Sequence, residues 1–188
     1  MSIFNAFLKF PKEAALIGRM LVGYADLEIG LMNCVQIARN DLDTVLKSMF
    51  RTRGEAQRIN VADAFGRQCY EGLGIGSQFG MAIGAVRHCL KIRNQYAHHQ
   101  WWDDNSERLA FANLEEVAKL NTLVENLRDL KTNYVDVPLL EKQLAYYEYA
   151  EELLTWVNQE GQIVAGRSSM QKRAPPQQLK QPPLFIPQ

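Results

Sequence analysis

Apolar residues recur every three or four positions along most of this chain, the period of helices with one buried face. From Pro11 to Arg39 the set Leu16, Met20, Tyr24, Leu27, Leu31, Val35 and Ala38 describes one long amphipathic helix, with Pro11 suited to its first turn. A second helix is predicted over Leu42 to about Phe50, capped by Asp41 and turning Leu42, Val45, Leu46 and Met49 inward. A third, from Glu55 to Tyr70, has a weaker pattern, and the glycines of EGLGIGSQFG break the chain after it. Ser77 caps a fourth, which runs through Phe79, Ile83, Val86 and Leu90 into KIRNQYAHHQWW. Next, QWWDDNSERLAFAN sets a D-D-N-S turn cluster between two short apolar runs, the pattern of a small β-hairpin near 100–112. Asn113 followed by Glu116 resembles a capping box, opening a helix on Leu114, Val117, Leu120, Val124, Leu127 and Leu130. Pro138 starts the last helix, with Leu140, Leu144, Tyr147, Leu154 and Val157.

The expected fold is all-α, a bundle of five or six helices over residues 1–160, with no internal repeat. Periodicity ends after Gly161, and residues 161–188 form a Pro/Gln-rich basic tail, APPQQLKQPPLFIPQ at its end, expected to be disordered in isolation.

At 188 residues, 47% hydrophobic and 22% charged, the chain has ordinary globular values and room for one domain with a core. Cys34, Cys69 and Cys89 are odd in number, far apart and free of C-x-x-C spacing, which argues for a reducing compartment and against a disulfide framework or zinc site. MSIFNAFLKFPKE lacks an apolar run long enough for a signal core, and no later stretch approaches a membrane span. A cytoplasmic protein that does not enter membranes is the expectation. Net charge is zero but uneven: residues 44–100 hold eight Lys or Arg against three Asp or Glu, while 101–160 hold five against thirteen. Gly72 to Trp102 contains no carboxylate, yet carries Arg87, Lys91 and Arg93, a local field that suits phosphate. Pairing of the two halves within the fold would explain the same asymmetry.

On the fourth helix the stripe Phe79, Ile83, Val86 and Leu90 continues at the same spacing to Arg93, Asn94 and Ala97. Asn94 and His98 are one turn apart, and Arg93 lies about 140° from His98, within convergence for a long guanidinium. A fixed cation, an amide and an imidazole suit phosphoryl chemistry. Arg can clamp the phosphate, and His can exchange a proton with a ribose 2′-hydroxyl or a leaving oxygen. No carboxylate cluster for Mg²⁺ sits nearby, so no metal or other cofactor is expected. The plainer alternative is Arg93 stabilising a helix C-terminus, where cations are favoured, with His98 ending the same helix.

R-N-Q-Y-A-H at Arg93–His98 resembles the signature of HEPN domains, short all-α bundles that carry it near the end of a late helix. The resemblance implies a homodimer with a composite cleft, and commonly a metal-independent endoribonuclease leaving a 2′,3′-cyclic phosphate. Many relatives of that kind are toxins or defence effectors, some held by an antitoxin partner. By that carry-over Arg93 clamps phosphate, Asn94 orients, and His98 is the acid/base. Other HEPN domains are non-catalytic interaction modules, so the signature speaks for the fold before the activity.

Lys91 could add charge toward RNA, and Tyr96, Trp101 and Trp102 could stack on bases, although aromatics beside a hairpin commonly pack. His99 points about 100° away from His98, and no third ligand has metal spacing. GLGIGSQFGMAIG lacks the strand before it and the Lys-Ser/Thr after it that a nucleotide loop needs. Gly76, Gly80 and Gly84 instead leave a smooth helix face for close approach, within the bundle or across a dimer. LFIP near the C-terminus could be a linear motif for a partner.

Overall fold

The computed structural model describes residues 3–119 and 132–186 and shows a helical protein with a small antiparallel sheet. Among those residues the order is α1 (Ile3–Lys9), α2 (Pro11–Arg39), α3 (Leu42–Phe50), α4 (Glu55–Gly72), α5 (Gly76–His98), β1 (Gln100–Asp103), β2 (Leu109–Ala112), α6 (Leu114–Lys119), β3 (Asn133–Val135) and α7 (Val137–Val164). The all-α bundle with a hairpin is the fold that the patterning anticipates. It adds the short α1 and a third strand. The expected apolar positions Leu120, Val124, Leu127 and Leu130 lie outside the described residues.

The chain divides into two compact units, one of residues 1–21, 91–144 and 182–188, the other of 22–90 and 145–181. In the second unit α2 buries Tyr24, Leu27, Leu31 and Val35, the stripe read from sequence. Asp41 caps α3 by accepting from the Thr44 N–H at 3.1 Å, as its position before an apolar run requires. Only Val45 and Met49 of that helix turn inward, whereas Leu42 and Leu46 are exposed. The apolar residues from Leu42 to Phe50 span an arc of about 140°, and burial covers one edge of it, which corrects the four-residue inward face. In α4 and α5, Tyr70 and Phe79 stack with centroids 4.5 Å apart, and the Tyr70 hydroxyl donates to the Cys34 carbonyl at 2.9 Å. Ser77 lies inside the first turn of α5, its hydroxyl donating to Gln78 Oε1, so it is not the cap expected.

Close helix approach is made by Gly66, where an added Cβ would stand 2.5 Å from Phe79 Cζ. Of the smooth face expected from Gly76, Gly80 and Gly84, Gly76 is close-packed on Glu71, whereas among the described residues nothing lies within 4 Å of a Cβ added at Gly80 or Gly84. No described helix is long and apolar enough to cross a membrane.

In the first unit the sheet order is β1-β2-β3, all antiparallel, with Trp101 opposite Phe111 and Trp102 opposite Ala110, which pairs in turn with Tyr134. Side chains alternate between faces along a strand. Trp102, Ala110, Ala112 and Tyr134 therefore form one cluster, joined by Ile186, while Trp101 and Phe111 meet on the other face at 4.8 Å. The β1–β2 turn is built by local bonds, Asn105 N–H to Asp103 and Ser106 N–H to Asp104. Lys9 of α1 pairs with Asp103 at 2.8 Å.

The tail has no helix or strand over 168–181, as its composition demands. Its end differs from the expected disorder. Tyr134 and Ile186 exchange both backbone hydrogen bonds, and two glutamine side chains grip the Pro183 and Leu184 carbonyls. Composition limits what the segment can bury alone; here the rest of the unit supplies its partners.

Candidate functional site

The end of α5 opens on a groove of about 500 Å³ within the first unit. Lys91, Asn94, Gln95 and His98 line it, positions i, i+3, i+4 and i+7, which share one helical face. Because α5 stays helical through His98, the spacing read from sequence becomes a real surface. His99, Phe111, Asn113 and Asn133 line other parts, and Leu184 with Phe185 brings the C-terminal segment against them.

His98 is exposed at this groove. Arg93 is half-buried and is not among the lining residues; its Nη1 donates to Asn94 Oδ1 at 3.1 Å. Asn94 accepts from the guanidinium and shares a helical face with His98, which stands one turn further along α5. Lys91 is exposed and adds a second cation, set against one carboxylate in the lining, Glu115.

Three expected contributors to RNA binding lie elsewhere. Tyr96 is buried, its hydroxyl donating to Gln143 Oε1, and burial pushes its phenol above the usual range. It therefore stays protonated and offers no face to a base. Trp101 is 4% exposed, packed on Tyr96, Phe111 and Phe7. Trp102 is 8% exposed within the Tyr134 cluster. Sheet pairing buries both indoles, one on each face, which corrects their proposed stacking role in favour of packing. Phe185 and the His99 imidazole line the groove without full burial, Phe185 edge-on to Phe111 at 6.2 Å.

Gln95, Asn113, Asn133, Leu184 and Phe185 were not singled out from sequence as parts of one site. Gln95 was within reach of a helical wheel, since it stands four residues after Lys91. Asn133 arrives through pairing of β3 with β2, which puts it opposite Phe111, and no local signal announces that. Its Oδ1 is buried with no hydrogen-bond partner among the described residues. An acceptor in that state is costly unless a donor reaches it, so a ligand with an N–H or O–H would be favoured there.

His99 sits edge-on to Phe111 at 5.2 Å, and His88, in the other unit, sits edge-on to Tyr146 at the same separation. Burial raises the Cys34 thiol to about 12, so it is protonated and unreactive. Among the described residues no group of three His, Cys, Asp or Glu is placed to hold a metal ion. Compared with known family models, with curated proteins and with solved structures, the chain matches none.

Proposed function

We propose that the chain is an endoribonuclease of the HEPN type that cleaves RNA by attack of the ribose 2′-hydroxyl on the adjacent phosphorus. His98 accepts the 2′-hydroxyl proton as the oxygen bonds to phosphorus, and the bond to the 5′-oxygen breaks. That oxygen leaves as it takes a proton from water, giving a 2′,3′-cyclic phosphate and a 5′-hydroxyl. Arg93, fixed by Asn94, carries the charge that gathers on the phosphoryl oxygens, and Lys91 draws the backbone in. Two copies in a homodimer would double the motif at one cleft, and a toxin restrained by an antitoxin would fit such an activity.

One observation carries the reading: His98 is exposed in a polar groove one turn from the Asn94 amide that holds Arg93. General acid–base catalysis is worth about 10²–10⁴ in rate. His98→Ala should therefore lower cleavage of bulk RNA by at least about 100-fold, and Arg93→Ala by about 100-fold or more through lost charge stabilisation, measured on gels with chelator present. Equal cleavage by all three proteins would remove these residues from the mechanism.

A second reading is a non-catalytic interaction module. It is favoured by the chain's own Leu184 and Phe185 forming one wall of the groove. RNA left intact by every preparation, with a partner protein retained through the same groove, would decide for it.

A further inference from the structure

The C-terminal segment is bound in the manner of a peptide ligand. The sheet order leaves β3 at an edge. Tyr134 there donates to the Ile186 carbonyl at 3.1 Å and accepts from its N–H at 2.8 Å. This is strand addition, the backbone mode by which extended peptides dock on sheet edges. Upstream, the segment is Pro182-Pro183-Leu184, and a proline pair has no N–H to offer. Such a step can be gripped only through its carbonyls, and side-chain amides are placed to do so. Gln95 Nε2 donates to the Leu184 carbonyl at 2.7 Å, and Gln143 Nε2 to those of Pro183 at 2.8 Å and Leu184 at 3.0 Å. Both glutamines are buried, at 5% and 0% exposure. The Gln143 carbonyl is already taken by the Tyr96 hydroxyl, which fixes its NH₂ toward the segment. Phe185 and Ile186 then go to opposite faces, Phe185 beside Phe111 and Ile186 into the Trp102 cluster.

We propose that β3, Gln95 and Gln143 form a peptide-docking groove for an extended Pro-Pro-Leu-Phe-Ile segment, filled here by residues 182–186 and exchangeable for the same sequence offered in trans. The chain leading to the segment, 168–181, has no regular structure and is almost wholly exposed. Held to α7 by the Trp156 indole N–H on the Arg173 carbonyl at 2.9 Å and by Lys172 facing Glu160 at 3.4 Å, it is a covalent link that keeps the attached copy at high local concentration. Leu184 and Phe185 also wall the His98 groove, so occupancy sets that groove's shape; this consequence alone rests on the proposed function.

The test uses the full chain and a fluorescent peptide of residues 179–188, LKQPPLFIPQ, followed by anisotropy. Ile186→Pro removes the N–H that bonds Tyr134 and should release the tethered copy. The variant should bind the peptide at least tenfold more tightly than wild type, in which the groove is filled. A peptide carrying Ile186→Asp should not bind, and adding Gln143→Leu, or Gln95→Leu should that fold better, should abolish capture. Circular dichroism establishes folding of each protein. A protease site placed at 177–178 and cut in the otherwise unchanged chain gives the same release without substitution. Equal peptide binding by filled and released proteins, no binding by the released ones, or equal capture of a scrambled peptide would overturn the proposal. None of these readouts depends on RNA cleavage.

Discussion

Gly66 and Phe79 show how one atom can decide a helix contact. The glycine lets the aromatic ring lie where a Cβ would be at 2.5 Å, and behind that ring Tyr70 stacks and bonds the Cys34 carbonyl. Relief would require Phe79 to leave a fully buried position. Gly66→Ala should therefore destabilise by about 1–3 kcal/mol through overpacking, more than its gain in helix propensity of about 1 kcal/mol. Denaturant melts check this, and a stabilised variant would show that the helices can part. At the candidate site the same scale separates Arg93 from its neighbours. Asn94 and His98 face the groove, while Arg93 is outside its lining and donates to the Asn94 amide. Arg93→Lys should consequently behave like Arg93→Ala in the cleavage assay, because an ammonium lacks the planar fork that could bond both amide and phosphate.

Elements are set by their ends. At the start of α3 the Asp41 carboxyl is held below the usual carboxylate range, first by the Thr44 hydroxyl and then by the Thr44 N–H. A depressed value in the folded state means the cap stabilises fully above the unfolded value of about 4 and loses its effect as pH falls through the folded one. The stability difference between wild type and Asp41→Asn should thus be constant near neutrality and should change only on acidification below about pH 4. A difference that instead varied between pH 6 and 8 would point to another group. The end of α2 is finished differently, by Asn40 at φ 52° and by Arg167 donating to the Ile37 carbonyl at 2.9 Å. A cation on the last carbonyls of a helix is favourable, and here it comes from 130 residues away, where no local pattern could place it. Helix α5 gives the functional case. It remains helical to His98, so Lys91, Asn94 and His98 keep one face; a break at Asn94 would have scattered them.

At the scale of the whole molecule, much of the architecture was legible. The helical period of α2, α5 and α7, the Asp41 cap and the D-D-N-S turn are each local in origin, because they depend on side chains a few residues apart. Composition marks 161–188 as a tail without regular structure, which holds over 168–181 but not at Gly161–Val164, where α7 continues, nor at 182–186, which docks on β3. The R-N-x₃-H spacing placed Asn94 and His98 on a shared surface for the same reason. Other assignments needed contacts between distant residues. Trp101 and Trp102 looked available until pairing of β1 with β2 buried them, and Leu42 and Leu46 looked buried until α3 showed only part of its apolar arc covered. Asn133 and Phe185 joined the groove through strand pairing and through the docking of a segment whose composition predicts disorder. The longer helices, though not the short α1, and the residue types that cluster at the end of α5 follow from local order along the chain, since periodicity and capping are short-range. Only the tertiary structure decided which of those residues meet a groove and what closes it. A buried glutamine, an unfilled sheet edge and an aromatic seat acquire partners only when segments separated by tens of residues come together.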